Sequence, residues 1–301
     1  MENILTTTEL KKTYGRFNAL NGLSMNVPKG AIYGFVGKNG AGKTTLIRLV
    51  CGLQFATEGE FTLYGKSSRS ADISKARRRM GAVVETPSIY LDMTAADNLK
   101  QQYRVIGAPS FDGIPELLKL VGLSDTGKKK ARHFSLGMKQ RLGIAVALCG
   151  NPDFLLLDEP INGLDPQGII EIRELILKLN RERGITVLIS SHILDELSRL
   201  ATHYGFIDKG KIVKEISAED LEKECRKAAR VIVSDTKALA VVMDRLCLEF
   251  KIIDEKTADI FGEISITRLT EELKNSGCEL FSINEHDESL EAYFINLVGS
   301  D

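Results

Sequence analysis

Three apolar runs lie within the first 215 residues, each of strand length and without the polar alternation of a half-exposed strand. Uninterrupted apolar runs of this kind are typical of strands buried on both faces of a sheet. A stretch with helical spacing follows each run, so the order predicts an α/β domain with a largely parallel sheet. The predicted strands are 31–37, 153–158 and 185–192, and the helices that follow them are 43–53, 166–184 and 193–201.

Further strands and helices are predicted around this framework. Residues 1–35 alternate between apolar and polar positions, which favours several strands, with turn signals at Asn21-Gly22 and at 28–30. The other predictions are strands at 59–65 and 79–85, a broken helical region at 94–123, an apolar helix at 136–150 and a hairpin around Asp208-Lys209-Gly210.

The pattern changes near residue 216, and residues 216–301 predict a small accessory α/β domain, for which a split βαβ arrangement is one option. Its first segment, 217–229, is charged and helical in character. No catalytic motif lies in this region, so regulation, dimerisation and partner binding all stay open as its role. The remaining predictions are strands near 230–234, 249–254, 258–264 and 278–284, and helices near 236–247, 268–276 and 287–298.

Composition narrows the class of protein. The chain of 301 residues has 40 basic and 41 acidic residues, a balance that gives no general attraction for nucleic acid, and no nucleic-acid partner is expected. Five scattered cysteines without a CxxC pair indicate free thiols in a reducing compartment. The polar N-terminus and the lack of a long apolar run predict a cytoplasmic protein that reaches a membrane only through a partner.

The segment GKNGAGKT (37–44) lies between a predicted strand and a predicted helix and matches the pattern G-x-x-x-x-G-K-[ST] of a phosphate loop. Its glycines let backbone N–H groups curl around phosphate oxygens, and the helix directs its positive end at the same anion. Lys43 is expected to reach the β- and γ-phosphates, and Thr44 to bind Mg²⁺. The alternative is a glycine-rich turn with a surface lysine. The predicted nucleotide-binding residues are Gly37, Lys38, Asn39, Gly40, Ala41, Gly42, Lys43, Thr44 and Thr45.

The segment DFLLLDEPINGLD (153–165) ends a predicted buried strand on two adjacent acids. A buried carboxylate needs a compensating cation, and beside a phosphate loop Mg²⁺ supplies one. Asp158 is therefore the predicted metal ligand. Glu159 comes one residue later and, on an extended strand, points the other way, towards a water near the γ-phosphate. The alternative is a strand that ends in solvent with two exposed acids.

Other short segments follow in a distinctive order along the chain. They are KKTYG with Tyr14, VVETPSIY (83–90), FSLGMKQR (134–141), Asp165 in the acidic segment, and LISSH (188–192) with His192. Together with the phosphate loop, they resemble the ATPase subunit of ABC transporters over residues 1 to about 215. The resemblance implies a P-loop NTPase fold of the ABC type, with a β-rich N-terminal flank and a helical subdomain at about 87–150. We call residues 83–90 the Q-loop and residues 134–141 the signature segment.

The resemblance assigns roles to Tyr14 and His192. Tyr14 matches the aromatic residue that stacks on adenine, and His192 matches the residue that senses the γ-phosphate. The residues alone leave alternatives open. Tyr14 could be an ordinary half-buried strand aromatic, Phe17 could take the stacking role, and His192 could be a core residue at the end of a buried strand.

Ser135, Gly137 and Asp165 are expected to act across a dimer. In the family, the start of the helix after the signature meets the γ-phosphate held by the opposite subunit, and the loop of Asp165 links the two sites. From the residues alone, Ser135 could be only the N-cap of helix 136–150. Leu136 and Met138 depart from the common L-S-G-G-Q form of the motif.

The Q-loop carries Glu85 where the family has glutamine. A carboxylate can still bind Mg²⁺ or a metal-bound water, so Glu85 is a predicted catalytic and metal-binding residue. This glutamate, the sequences SLGMKQR and INGLDP, and the closing segment DESLEAYFINLVG resemble the bacitracin-efflux and lantibiotic-immunity branch of the family.

The resemblance also implies partners. One phosphate loop and one signature segment per chain imply a homodimer, or a heterodimer with a related ATPase, that holds ATP and Mg²⁺ between its subunits. A separate permease at the inner face of the membrane would dock near residues 87–134, where Ile89, Tyr90, Leu91 and Met93 form either that contact or ordinary core. The expected function is ATP hydrolysis that powers peptide-antibiotic export. The alternatives are an ABC ATPase for another substrate and a non-transport regulatory ABC ATPase.

Overall fold

The computed structural model describes residues 2–224, 228–262, 265–286 and 290–299. The chain divides into two compact units, Met1–Ala218 and Glu219–Asp301, which are described separately. The strands of the first unit are β1 (Asn3–Tyr14), β2 (Phe17–Pro28), β3 (Ile32–Val36), β4 (Glu58–Leu63), β5 (Lys66–Ser67), β6 (Met80–Val83), β7 (Phe154–Asp158), β8 (Thr186–Ser191), β9 (His203–Asp208) and β10 (Lys211–Ser217). Its helices are α1 (Lys43–Cys51), α2 (Ile73–Arg77), α3 (Ala95–Ile106), α4 (Ile114–Leu120), α5 (Leu136–Leu148), α6 (Pro166–Arg183) and α7 (Leu194–Ser198).

The central sheet of the first unit has the strand order β10-β9-β3-β8-β7-β6. All its strands are parallel except β10, which pairs antiparallel with β9. Every residue of β3, β7 and β8 is buried, which confirms the three apolar runs as strands covered on both faces. Because parallel strands end at the same edge of a sheet, the residues that follow β3, β7 and β8 meet at its carboxyl edge.

A second sheet, antiparallel and with the order β2-β1-β4-β5, forms the β-rich flank. The expected turn at Asn21-Gly22 is wrong, because Asn21 pairs with Lys11 inside the ladder of β1 and β2. Gly22 has a φ of +81° and Glu9 a φ of +47°, close to irregularities in that ladder. The positive φ values therefore serve a β-bulge, and the chain reverses instead at Gly15, whose φ is +60°.

Residues 87–150 contain α3, α4 and α5. Thr94 starts α3 by accepting a hydrogen bond from the N–H of Asp97 at 3.1 Å, and Gly107, with a φ of +71°, ends it. The gap before α4 covers residues 107–113, which confirms that the helical region predicted at 94–123 is broken. None of the described helices combines the length and the apolar character needed to cross a bilayer.

The second unit contains a sheet with the strand order β12-β13-β11-β14, antiparallel throughout its described pairs. Strands and helices follow one another as in the split βαβ arrangement that the sequence allows. The predicted helix 217–229 is wrong at its end, because Ala228 already pairs with Phe261 in the sheet. Residues 225–227, 263–264 and 287–289 of the predicted elements lie outside the described residues. The elements are α8 (Ala218–Glu224), β11 (Ala228–Val233), α9 (Thr236–Leu246), β12 (Glu249–Ile252), β13 (Thr257–Phe261), α10 (Ile266–Asn275), β14 (Leu280–His286) and α11 (Leu290–Val298).

Leu156 and Leu53 provide a matched test of the core of the first unit. The side chain of Leu156 in β7 is fully buried, whereas that of Leu53 is 65% exposed. Leu156→Ala should leave a cavity and lower the free energy of unfolding by about 2–5 kcal/mol, whereas Leu53→Ala should change it by less than about 0.5 kcal/mol. Urea unfolding followed by circular dichroism measures both effects. Equal midpoints for the two variants would contradict the burial of Leu156 in the core.

Candidate functional site

Residues 37–42 of the phosphate loop connect β3 to α1 at the carboxyl edge of the central sheet, and Lys43, Thr44 and Thr45 form the first turn of α1. A Cβ built on Gly37 would lie 2.6 Å from Ile207, and one built on Gly42 would lie 2.5 Å from the carbonyl oxygen of Ala19, so only glycine fits at either position. Gly42 caps α1 without a side-chain hydrogen bond, and the first turn of α1 contains no acidic residue. This helix start therefore suits an anion, as the sequence predicts.

Lys43 is only 5% exposed and directs its ammonium group into the phosphate loop. Its Nζ donates to the carbonyl oxygen of Gly37 at 2.6 Å and to that of Lys38 at 3.3 Å. It also lies 3.2 Å from Oε1 of Glu159. The alternative of a glycine-rich turn with a surface lysine is therefore wrong.

Asp158 closes β7 and is 1% exposed. Ser190 of β8 is its partner in the parallel register and donates a hydrogen bond from Oγ to Oδ1 of Asp158 at 2.5 Å. A buried carboxylate requires such donors or a nearby cation. The alternative of two exposed acids at a strand end is thus excluded for Asp158.

Glu159 does not continue the strand. Its φ of +48° lies in the left-handed region, and its N–H donates to the carbonyl oxygen of Ser190 at 3.1 Å and to the Oγ of Ser190 at 3.0 Å. The expectation of extended backbone at Glu159 is wrong, because β7 ends one residue earlier. The turn places the Glu159 carboxylate between Lys43 and His192, with Oε1 3.2 Å from Nζ of Lys43 and Oε2 2.9 Å from Nδ1 of His192.

The exposed fractions of His192, Tyr14 and Phe17 bear on the alternatives that the sequence leaves open for these side chains. His192 follows β8 and its side chain is 35% exposed, so it is not a core residue. Tyr14 closes β1 and is 43% exposed; its hydroxyl donates to Oε1 of Gln54, and Nζ of Lys12 lies 5.1 Å from the centre of its ring. Phe17, its partner in the ladder, is 60% exposed. Both aromatic rings are therefore open to a nucleotide base.

Ser135 and Asp165 each cap a helix within the single chain. The Oγ of Ser135 accepts a hydrogen bond from the N–H of Met138 at 3.2 Å, and Oδ1 of Asp165 accepts one from the N–H of Gly168 at 3.2 Å. A Cβ built on Gly137 would lie 3.7 Å from Cα of Gly168, so the starts of α5 and α6 lie side by side. No hydrogen bond joins these caps to residues 37–45 in the described part of the chain. The N-cap reading of Ser135 is correct for one chain, and its role across a dimer stays a prediction.

Glu85 lies in the Q-loop, two residues after β6, with a φ of +59°. Its carboxylate forms an ion pair with the guanidinium of Arg48 on α1. Sequence reasoning directed Glu85 towards a metal and missed this counter-charge. It also missed Ser190. Two features of the sequence could have indicated these residues. Arg48 comes one helical turn after Thr44, and Ser190 is a hydroxyl residue near the end of the predicted strand 185–192.

The donor set fits Mg²⁺ at a nucleotide site. Among the described residues, no group of three or more His, Cys, Asp and Glu side chains could hold a metal ion by itself. Mg²⁺ at such sites keeps waters and phosphate oxygens as ligands and takes only one or two carboxylates from the protein. Thr44 at the start of α1 and Asp158 at the end of β7 offer a hydroxyl and a carboxylate at one sheet edge.

Comparisons with known proteins place the chain in a family. A sequence profile of that family, ABC transporter, matches residues 20–162. The bacitracin transport ATP-binding protein BcrA of Bacillus licheniformis is 40% identical over 302 residues, which cover 99% of this chain and 98% of that protein. The lantibiotic transport ATP-binding protein SrtF of Streptococcus pyogenes is 44% identical over 212 residues, which cover 70% of this chain and 90% of that protein.

Solved structures agree with this placement. The dimeric ATP-binding cassette MJ0796, bound to ADP and Pi, aligns at a TM-score of 0.63 with 28% identity over 71% of this chain and 98% of that chain. The cbiO1 protein of Clostridium perfringens aligns at a TM-score of 0.66 with 26% identity over 82% and 97%. The fold and the phosphate loop are those of a P-loop NTPase. Within that class, the chain belongs to the ABC transporter family as an ATP-binding subunit, so it binds ATP and couples ATPase activity to transport.

Ser190→Ala should destabilise the carboxyl edge of the sheet. The substitution removes a donor to the buried Asp158 carboxylate and one acceptor for the Glu159 N–H. The loss should lower the free energy of unfolding by about 1–3 kcal/mol. Ser198→Ala, which removes an exposed hydroxyl on α7, is the matched control. Calorimetric unfolding compares the two, and equal stabilities would show that the Ser190 bond contributes little.

Proposed function

We propose that this chain powers an exporter of peptide antibiotics of the bacitracin or lantibiotic type through a separate membrane permease. The support is the similarity to BcrA, named for bacitracin transport, and to SrtF, named for lantibiotic transport. The Glu85 Q-loop and the SLGMKQR signature support the same branch. The permease would hold the chain at the inner face of the cell membrane and provide the path of the substrate.

The catalytic proposal rests on the contacts of Glu159 with Lys43 and with His192. Phosphoryl transfer depends on positioning and on stabilising charge at the phosphate, with one group to orient the attacking water. Glu159 is that group and acts as general base; its carboxylate lies 3.2 Å from Nζ of Lys43 and 2.9 Å from Nδ1 of His192, next to the two residues proposed to contact the phosphates. Lys43 binds the β- and γ-phosphates, and His192 contacts the γ-phosphate.

The remaining nucleotide contacts follow from the placement of the loop and of β1. Residues 37–45 bind the phosphates mainly through backbone N–H groups, and Tyr14 stacks on adenine. Mg²⁺, when bound, neutralises charge on the β- and γ-phosphates. Thr44, Asp158 and Glu85 are the residues that would hold it, directly or through water.

The ATP-bound form is proposed to be a dimer, either of two copies or with a related ATPase. Ser135 and Gly137 at the start of α5 lie next to the α6 start that Asp165 caps, and Leu136 between them is 49% exposed. A helix start of this kind can bind a phosphate held by a second chain. The dimeric state of the MJ0796 cassette supports such a pairing.

The permease contact is proposed at the segment after the Q-loop. Tyr90 is 53% exposed and Leu91 49% exposed, whereas Ile89 and Met93 are partly buried, so core packing does not account for the first two. Exposed apolar side chains that lie together are typical of interaction sites. In this proposal residues 1–215 form the ATPase domain, 87–150 its helical subdomain, and 216–301 an accessory domain.

Glu159→Gln should almost abolish ATP hydrolysis and preserve ATP binding. The amide keeps the size of the side chain but cannot accept a proton from water. Since a general base contributes about 10²–10⁴-fold, kcat should fall by at least about 10²-fold. Phosphate release measures kcat, and a fluorescent ATP analogue measures affinity.

Two further variants control that experiment. Glu174→Gln changes an exposed acid on α6 and should leave kcat unchanged. Lys43→Ala should weaken ATP binding itself, because it removes the ammonium group inside the phosphate loop. Normal turnover by Glu159→Gln would refute the general-base assignment.

Deletion of the gene in its source strain should lower the minimal inhibitory concentration of bacitracin or of a lantibiotic. The wild-type gene should restore resistance, and Glu159→Gln expressed at the same level should not, because the permease would lack its energy source. An unrelated antibiotic that is not a peptide is the control compound. Unchanged resistance of the deletion strain to both peptide classes, with the purified wild-type protein active as an ATPase, would point to another substrate.

A further inference from the structure

Arg48 provides a counter-charge for the carboxylate of Glu85 in the Q-loop. Arg48 lies on α1 four residues after Thr44, so both side chains project from the same face of the helix. Its guanidinium forms an ion pair with Oε1 of Glu85, which connects α1 directly to the Q-loop. A metal ligand predicted on the Q-loop is thus already paired with a cation.

The backbone conformation of Glu85 requires support from surrounding contacts. Its φ of +59° lies in the left-handed region, where a residue with a side chain is strained unless its surroundings hold it. The Glu85 side chain is 54% exposed, so burial alone does not fix it. The ion pair with Arg48 supplies a specific anchor.

Charge balance gives the pair a second consequence. Asp158 and Glu159 already place two carboxylates at the end of the neighbouring strand β7, and β6 runs beside β7 in the sheet. A third carboxylate at Glu85 repels the phosphates unless a cation compensates it. The Arg48 side chain is 35% exposed, and a solvent-exposed pair is weak enough for a divalent cation to compete with it.

We propose that Arg48 is a positioning residue of the nucleotide site, which holds the Glu85 carboxylate and competes with Mg²⁺ for it. Glu85 leaves Arg48 when Mg²⁺-ATP binds. The inference rests on the proposed function, in which Glu85 contributes to the metal site. It also explains why glutamate can stand where the family has glutamine.

The test measures binding of Mn²⁺ ions, as a substitute for Mg²⁺, by electron paramagnetic resonance on the full chain with a non-hydrolysable ATP analogue. Arg48→Met should tighten Mn²⁺ binding about two- to fivefold, the range expected from an exposed ion pair. Glu85→Gln should weaken it. In the Glu85→Gln background, Arg48→Met should have no further effect.

Two controls test how net charge and the positive charge at position 48 affect Mn²⁺ binding. Lys11→Met breaks the exposed ion pair of Lys11 with Glu58, changes the net charge by the same amount and should leave Mn²⁺ affinity unchanged. Arg48→Lys retains the positive charge and should restore an affinity near that of the wild type. Thermal unfolding of each variant verifies that the protein is folded.

The outcomes separate the two proposals. If Glu85→Gln leaves Mn²⁺ affinity unchanged, Glu85 is no metal-site residue and the inference about Arg48 falls with it. If Glu85→Gln weakens binding but Arg48→Met acts equally in both backgrounds, Arg48 acts through general charge alone and only the inference about Arg48 is overturned. Tighter binding on Arg48→Met that requires Glu85 supports it.

Discussion

The burial of opposite charges at one edge of a parallel sheet is the constraint on which the rest of this structure depends. Lys43 is 5% exposed and Asp158 is 1% exposed, and buried charges are tolerated only when they are paired or hydrogen-bonded. Lys43 donates a hydrogen bond to the Gly37 carbonyl oxygen and forms an ion pair with the Glu159 carboxylate. Asp158 accepts a hydrogen bond from the Ser190 hydroxyl. The contacts of Glu159 with Lys43 and of Ser190 with Asp158 depend on β8 lying between β3 and β7 in the parallel sheet.

Two acidic residues with left-handed backbone conformations supply carboxylates to the nucleotide site at this edge of the sheet. Glu159 follows β7 and Glu85 follows β6, and these two strands are adjacent. Such residues are strained by about 1–3 kcal/mol each and persist where surrounding contacts hold them, often at functional sites. Glu159 is held by Ser190, Lys43 and His192, whereas Glu85 is held by Arg48. The turns at the strand ends, rather than extended strands, set where both carboxylates lie.

The second unit is a separate compact part of the chain. Its split βαβ sheet has its own apolar core, built on residues such as Val231, Leu239, Ile260 and Leu269. The alignment with BcrA covers 99% of the chain, whereas that with SrtF spans 212 residues, a length close to the 218 residues of the first unit. Relatives thus differ in how far their similarity to this chain extends.

The sequence by itself determined the α/β class, the three buried strands, the phosphate loop and the identity of Lys43, Asp158 and Glu159, because apolar runs, glycine spacing and the end of a strand are local patterns. It failed where local rules compete, as at Asn21-Gly22, where a bulge took the place of a turn, and at Ala228, where a charged helix gave way to a strand. Only the tertiary structure decided which distant residues complete the site. Ser190 meets Asp158 across 32 positions and Arg48 meets Glu85 across 37, through strand register and helix packing that no local pattern encodes.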